Sequence, residues 1–263
     1  MNKNFLSLTL LVLMFGALSA SKFISSRKDM SKYDIIQGSF MESNYVIVKI
    51  KNKNLKFIIS KPIFDQKLNN YYFEGQTTSQ FLISNDVDIA INTSPYEIKK
   101  NMFYPSGLYI YNKKIISNAI KETYGAVVIK NNRIILNPKI DEIKTSDYGF
   151  GGFFTLIKNG KYTKTFKKDK HPRTIIGTDR ENKNLYLITI EGRGINKSKG
   201  ISLNDAIDLS LKYGITNSIN LDGGGSSTLV IKSNNYSHKL NSTPNFFGQE
   251  RIIPFHLGIK LPN

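Results

Sequence analysis

Cysteine is absent from all 263 residues, so no disulfide and no thiolate chemistry is available. The chain is long enough to be held by buried apolar surface alone. Acidic residues are scarce, 20 against 37 lysines and arginines, for a net charge of +17. The basic residues are spread out, at Lys99-Lys100, Lys113-Lys114, Lys161, Lys164 and Lys167-Lys168-Asp169-Lys170. Three readings compete: a composition rich in Lys, Asn and Ile with lysines on solvated faces, attraction to anionic envelope polymers or phosphate-bearing substrates, and nucleic-acid binding. The first is adopted. The third is set aside, since no nucleic-acid motif occurs and the chain carries an export pattern, so no nucleic-acid partner is expected.

Long apolar runs are also missing. Residues 5–18 form the one extended run, too short for a confident span. Lys3 precedes it and Ala17-Leu18-Ser19-Ala20 follows. Residues 1–20 therefore read as a secretory signal peptide, with an uncleaved anchor as the alternative. The expectation is an exported protein (periplasm, envelope or extracellular) with no stable membrane span after cleavage. HExxH, clustered histidines and EF-hand spacing are absent. No cofactor and no metal site are expected, and a divalent cation on Asp222 is the one metal reading left open. Asp86 and Asp88 read as alternating along a strand and facing solvent.

What is present is a dominant period of two between turn signals. Hairpins are expected over 45–50 with 55–60, 108–111 with 115–116, 126–130 with 133–136, 153–158 with 161–166, and 175–177 with 185–190. Asn131-Asn132 and Asn159-Gly160 suit type I′ turns. Helical signals are few. Residues 202–213 form a helix with Ser202 as N-cap, Asp205 three places on and Gly214 at its end, and residues 77–82 form a possible short one. Residues 218–221 read as a strand. The fold class is α+β, a strand-rich single domain with few helices. Residues 21–84 are read as N-terminal strands of that domain and 85–263 as its main part.

The most informative stretch is Asn220-Leu221-Asp222-Gly223-Gly224-Gly225-Ser226-Ser227-Thr228. Three glycines between strand-like segments cost backbone entropy. Such a turn suits positive φ or a ligand close to the main chain, and successive amides can bind an anion. A flexible hairpin is the competing reading. A P-loop is excluded because no lysine follows Gly225. A nucleophile elbow is excluded because no glycine stands two places after Ser226 or Ser227.

This block, preceded by Lys199-Gly200-Ile201-Ser202-Leu203 and a helix, resembles the signature of the phosphodiester glycosidase family. His171-Pro172-Arg173-Thr174-Ile175-Ile176-Gly177 is a second similar block, followed by a strand and Glu191-Gly192-Arg193, where the family has Asp-Gly. Gly248-Gln249-Glu250-Arg251-Ile252-Ile253-Pro254 is a third, and Ala90-Ile91-Asn92 a fourth. After Asn92 the family's Gly-Gly-aromatic run is replaced by Thr93-Ser94-Pro95-Tyr96. The resemblance covers roughly residues 85–263.

The resemblance implies hydrolysis of sugar-1-phosphodiesters. A departing phosphate is a weak base, so charge neutralisation and support of an oxocarbenium-like centre matter more than its protonation. Asp222 is expected as nucleophile, base for water or electrostatic stabiliser, and the three roles stay open. His171 is read as acid, base or phosphate contact, against a surface or capping histidine. Glu191 is read as a second site carboxylate, against a turn residue. Arg173 is expected on phosphate, with Thr174, the amides of Gly223, Gly224 and Gly225, and Ser226 on substrate. Asn92 suits a sugar hydroxyl or a turn. Arg251 is read as the partner of a buried carboxylate such as Asp222 or as a substrate contact. Arg193 is read as solvated. The expected partner is a phosphorylated glycan or sugar-1-phosphodiester substrate. The rival reading is a non-catalytic envelope protein that binds phosphorylated glycans.

Overall fold

The computed structural model describes residues 32–118, 124–243 and 248–262; the expected signal peptide lies outside them. Among the described residues, three large antiparallel sheets and two two-stranded ones, Ile63–Asp65 with Asn70–Tyr72 and Tyr96–Lys99 with Met102–Pro105, are present. The first has seven strands in the order Tyr33–Phe40, Ser43–Lys51, Asn184–Ile190, Arg173–Thr178, Asn217–Asn220, Phe154–Lys158 and Lys161–Tyr162. The second runs Lys114–Asn118, Leu108–Tyr111, Tyr148–Gly151, Ala126–Lys130, Arg133–Leu136. The third runs Tyr236–Lys239, Leu229–Ser233, Ile89–Asn92, His256–Lys260, Lys56–Ile59. The fold is strand-rich α+β, with three short helices: α1 (Thr78–Ser84), α2 (Ile140–Lys144) and α3 (Leu203–Lys212).

Strand periodicity explains how the layers close. Along Ser43–Lys51, Val46, Val48 and Ile50 point into the main core, where they meet Ile89 and Ile91 of the third sheet and Tyr109, Val127 and Phe150 of the second. Tyr45 and Ile47 point the other way, into a second core under α3 with Ile175, Ile188, Leu203, Ala206 and Ile207. Successive side chains of a strand alternate between faces, so a strand covered on both sides reads as nearly continuous apolar sequence. The helix α1 covers the outer face of the third sheet through Phe81 and Leu82 against Ala90 and Val230.

The turns follow local chemistry. Asn131-Asn132, Asn112-Lys113 and Asn159-Gly160 all take positive φ, as type I′ hairpins require, and each joins the strands expected. The strand after Asn159-Gly160 is shorter than expected, only Lys161–Tyr162, because the chain then leaves the sheet. One pairing is corrected. Residues 45–50 and 55–60 do not form a hairpin. Ser43–Lys51 pairs with Tyr33–Phe40 and with Asn184–Ile190, whereas Lys56–Ile59 crosses to the third sheet and pairs with His256–Lys260. Asp86 is likewise corrected: it sits in a turn with φ of 49° and is bonded by Lys232 and Lys260. No described helix is long and apolar enough to cross a membrane.

The helix α3 forms where its capping signals place it. Ser202 Oγ accepts from the Asp205 amide at 3.2 Å, and the Asp205 carboxylate accepts from the Ser202 amide at 3.0 Å. Gly214 closes the far end at φ of 73°. Ser202→Ala removes one arm of this box and is expected to cost about 1 kcal/mol. Urea unfolding checks it: the midpoint should fall at unchanged slope.

Candidate active site

The glycine loop lies where the first and third sheets meet. Asn92 ends its strand fully buried. Its Nδ2 donates to the Asp222 carbonyl at 2.6 Å, and its Oδ1 accepts from Thr174 Oγ1 at 3.0 Å and from the Thr228 amide at 3.0 Å. The Asp222 amide donates to the Thr93 carbonyl at 2.7 Å, and the Leu221 amide to the Thr174 carbonyl at 2.8 Å. The backbone of Asp222 is thus clamped from both sides, and its carboxylate takes no part in the clamp. Asn92 and Thr174, expected as substrate contacts, serve here as that clamp, since neither side chain reaches the surface.

Each glycine answers to a different neighbour. A Cβ on Gly223 would stand 2.8 Å from the Pro172 carbonyl, one on Gly224 would stand 2.9 Å from Arg193 Nη2, and one on Gly225 would overlap the Arg251 guanidinium. Only Gly224 has positive φ, at 59°. The amides form less of an anion nest than the sequence suggests. Gly224's donates to Pro172, Ser226's to Gly223 and Ser227's to Gly224, and Gly223's to the Asp222 carboxylate. The loop instead makes room for two guanidinium groups.

Around Asp222 stand Ser226, Arg251 and Tyr96. Burial pushes the Asp222 carboxyl up to about 6, against the opposing pull of the Ser226 hydrogen bond, the Arg251 charge and the Gly223 amide. Arg251 Nη1 reaches Ser226 Oγ at 3.5 Å, and no direct Arg251–Asp222 salt bridge forms among the described residues. The Tyr96 phenol is raised by burial and then by the Asp222 charge, while Arg251 and Ser226 hydrogen-bond it and pull it down. Tyr96 is the residue given no role by the sequence; Arg193, expected to be solvated, is exposed, with its guanidinium also against Gly224. The signal for Tyr96 was its aromatic place after Asn92. For the place of Arg193 beside the glycine loop, the sequence holds no signal beyond its position after Glu191-Gly192.

The other expected site residues lie apart. Glu191 is buried, and its carboxylate accepts from the Ser242 amide at 2.8 Å, Asn196 Nδ2 at 3.1 Å, Asn44 Nδ2 at 3.2 Å and Ser198 Oγ at 3.4 Å. It knits three loops together at the edge of a cleft. A cleft of about 780 Å³ opens beside this network, lined by Asn44, Glu191, Asn196 and Asn241, and Asp222 is not in its wall. Arg173 alternates with Thr174 and so faces the α3 side, where Nε donates to the Ile201 carbonyl at 3.1 Å and Nη2 to the Asp169 carbonyl at 2.9 Å. Burial lowers it to about 10, still charged at neutral pH. The His171 backbone bridges Ile201; its exposed ring makes no hydrogen bond among the described residues. No three His, Asp or Glu groups converge as metal ligands among the described residues.

A strand-rich domain that presents one perturbed carboxylate beside a three-glycine loop and two arginines is suited to an anionic ligand. The sequence profile of the phosphodiester glycosidase family matches residues 85–260, and the chain belongs to that family. Two curated relatives match over short stretches. The SPbeta prophage-derived uncharacterized protein YomE of Bacillus subtilis is 36% identical over 36% of this chain and 13% of its own length. Bos taurus N-acetylglucosamine-1-phosphodiester alpha-N-acetylglucosaminidase is 41% identical over 22% of this chain and 11% of its own length. The matched stretches thus span only a small part of either relative. Among solved structures, the catalytic domain of the zebrafish N-acetylglucosamine-1-phosphodiester alpha-N-acetylglucosaminidase, auto-inhibited by its pro-peptide, superposes with a TM-score of 0.62 at 16% identity, covering 87% of this chain and 82% of that one. That likeness shows the fold.

The raised Asp222 pKa has a stability consequence. Its folded value, about 6, lies above the ordinary 3.8, so the stability this group leaves intact below pH 4 is lost as pH rises through 6. Asp222→Asn should therefore melt at a higher temperature than the parent at pH 7.5, and the gap should close as pH falls to 4. Melting curves at the two pH values check it.

Proposed function

We propose that this chain is an exported hydrolase that cleaves the sugar–phosphate bond of sugar-1-phosphodiesters, releasing a free sugar and a phosphomonoester. The observation that carries the reading is the Asp222 carboxylate, backbone-clamped and raised to about 6, with two guanidinium groups against the adjacent glycines. Export rests on the pattern of residues 1–20.

In this reading Asp222 takes a proton from water as the water oxygen bonds to the anomeric carbon. The carbon–oxygen bond to phosphate breaks, and its electron pair leaves on the phosphate oxygen. That oxygen is a weak base, so no second carboxylic acid is needed to protonate it, unlike the paired carboxylates of ordinary glycosidases. This agrees with a Glu191 whose carboxylate is taken up by hydrogen bonds from Ser242, Asn44 and Asn196, in a cleft whose wall lacks Asp222. Arg193 and Arg251 supply positive charge where the phosphate would lie. Arg173, braced on the far face of the sheet, has no direct part. A carboxylate near 6 is matched to proton transfer at neutral pH. Tyr96, bonded to Arg251 and Ser226, fixes the arginine and lines the sugar side.

The test is turnover of a panel of sugar-1-phosphodiesters. Asp222→Asn should lower turnover by at least about a hundredfold, the scale of one well-placed acid–base group, while substrate still binds. The parent's kcat/KM should rise with pH through about 6 as Asp222 ionises. Arg193→Ala should raise KM more than it lowers kcat. Binding without turnover across the panel would favour a non-catalytic glycan-binding protein instead.

A further inference from the structure

Among the described residues, six lysines of this protein are held by carboxylates, and most of the others stand in solvent. Lys99, Lys113, Lys183, Lys199, Lys232 and Lys260 form ion pairs with neighbouring carboxylates. The five in residues 161–170 form none among the described residues. That segment holds Lys161, Lys164, Lys167, Lys168 and Lys170 against the single acid Asp169, and all five lysines are exposed. What sets these five apart is their density, five lysines within ten residues against one acid, which a merely lysine-rich composition does not explain.

The segment is also fixed in place. It leaves the first sheet after Tyr162, held by the Thr163 amide on the Leu156 carbonyl at 3.0 Å. Halfway along, Phe166 packs against the core under α3, and its backbone is bonded on both sides by the Asn204 side chain, at 3.0 and 2.8 Å. Arg173 Nη2 holds the Asp169 carbonyl, and His171 bridges Ile201. The next residue, Pro172, accepts from the Gly224 amide at 3.0 Å. The backbone is thus a strap tied down at intervals and running into the glycine loop, with its charges pointing outward. Lys164 lies over the Phe154 and Phe166 rings at 5.0 and 5.1 Å, which holds one charge in a set place. Ten residues of chain can reach at most roughly 33–36 Å, longer than any single sugar phosphate.

We propose that residues 161–170 bind an anionic phosphodiester polymer, so that the bond cut at Asp222 belongs to a sugar-1-phosphate unit carried on such a chain. The inference rests on the hydrolase reading for its second half only. A row of exposed cations on a strap that leads into the site's loop raises the local concentration of a polyanion and speeds its capture, and a monomeric phosphodiester gains little from it. Each charge neutralised on a flexible polyanion steepens the salt dependence of binding by about 0.7 in the log–log slope, taking single-stranded nucleic acid as the measure.

The experiment compares the full chain with two variants, Lys167→Gln/Lys168→Gln and Lys164→Gln/Lys167→Gln/Lys168→Gln/Lys170→Gln. The probes are fluorescent poly(glycerol phosphate), a single-stranded oligonucleotide of similar charge, and neutral dextran, each titrated from low to high salt. The parent should bind poly(glycerol phosphate) and leave dextran free. The double variant should lose about 1.4 and the quadruple about 3 from the salt slope, with at least about tenfold weaker binding for the quadruple at low salt. Turnover of a small sugar-1-phosphodiester should be unchanged in the double variant, which leaves the Lys164–aromatic contact intact. Equal polymer binding by the parent and both variants would overturn the proposal. So would an oligonucleotide bound more tightly than poly(glycerol phosphate), which would assign the strap to nucleic acid. If no protein turns over the small substrate yet polymer binding depends on the strap, the hydrolase reading fails and the binding surface stands.

Discussion

The site depends on one buried amide. Asn92 ends a strand of one sheet and bonds to Thr174 in another, to the Thr228 amide after the glycine loop and to the carbonyl of Asp222 itself. A single buried hydrogen bond nets only about 1 kcal/mol, but leaving its partners unmade costs more. Three such bonds from one side chain join the two sheets and set the strand end that carries Asp222. Because they act on the backbone of Asp222, the carboxylate is positioned without being neutralised. It can stay half-buried, with its pKa raised to about 6, and still face the loop.

The glycines complete the arrangement by what they leave out. Side chains at Gly224 and Gly225 would collide with Arg193 and Arg251, so their absence brings two positive charges close to the loop backbone. Neither guanidinium closes onto Asp222, which keeps the carboxylate from being held as a fixed ion pair. Attraction for an anion and a weakly acidic carboxyl then coexist at one strand end. The lysine-rich strap of residues 161–170, seated on the α3 side by Phe166 and Arg173, reaches the glycine loop through the backbone at Pro172.

Local chemistry was legible in the sequence, and partnership was not. Asn131-Asn132 and Asn159-Gly160 announce their turns because few residues accept positive φ in succession. Ser202, Asp205 and Gly214 bound their helix for reasons contained within it. The loop from Asp222 to Thr228 stood out through glycine's entropic cost. Period-two alternation, however, does not say which strand a strand will pair with. Residues 45–50 and 55–60 therefore looked like a hairpin when they belong to different sheets. The same limit hid the division of labour at the site. Asn92, Glu191 and Arg173 carry chemistry-bearing side chains, and only tertiary contacts show them hydrogen-bonded to neighbouring loops and strands as braces. Arg193 and Tyr96 gain their importance from loops folded over Asp222, which no spacing in the sequence records.

The central claim is that water attacks the anomeric carbon and not the phosphorus. Hydrolysis of a sugar-1-phosphodiester in ¹⁸O-labelled water tests it directly, with the products separated and weighed by mass spectrometry. The account predicts one labelled oxygen on carbon 1 of the sugar, measured before exchange with solvent, and an unlabelled phosphomonoester. Label in the phosphate would mean that the phosphorus–oxygen bond breaks, and would contradict it.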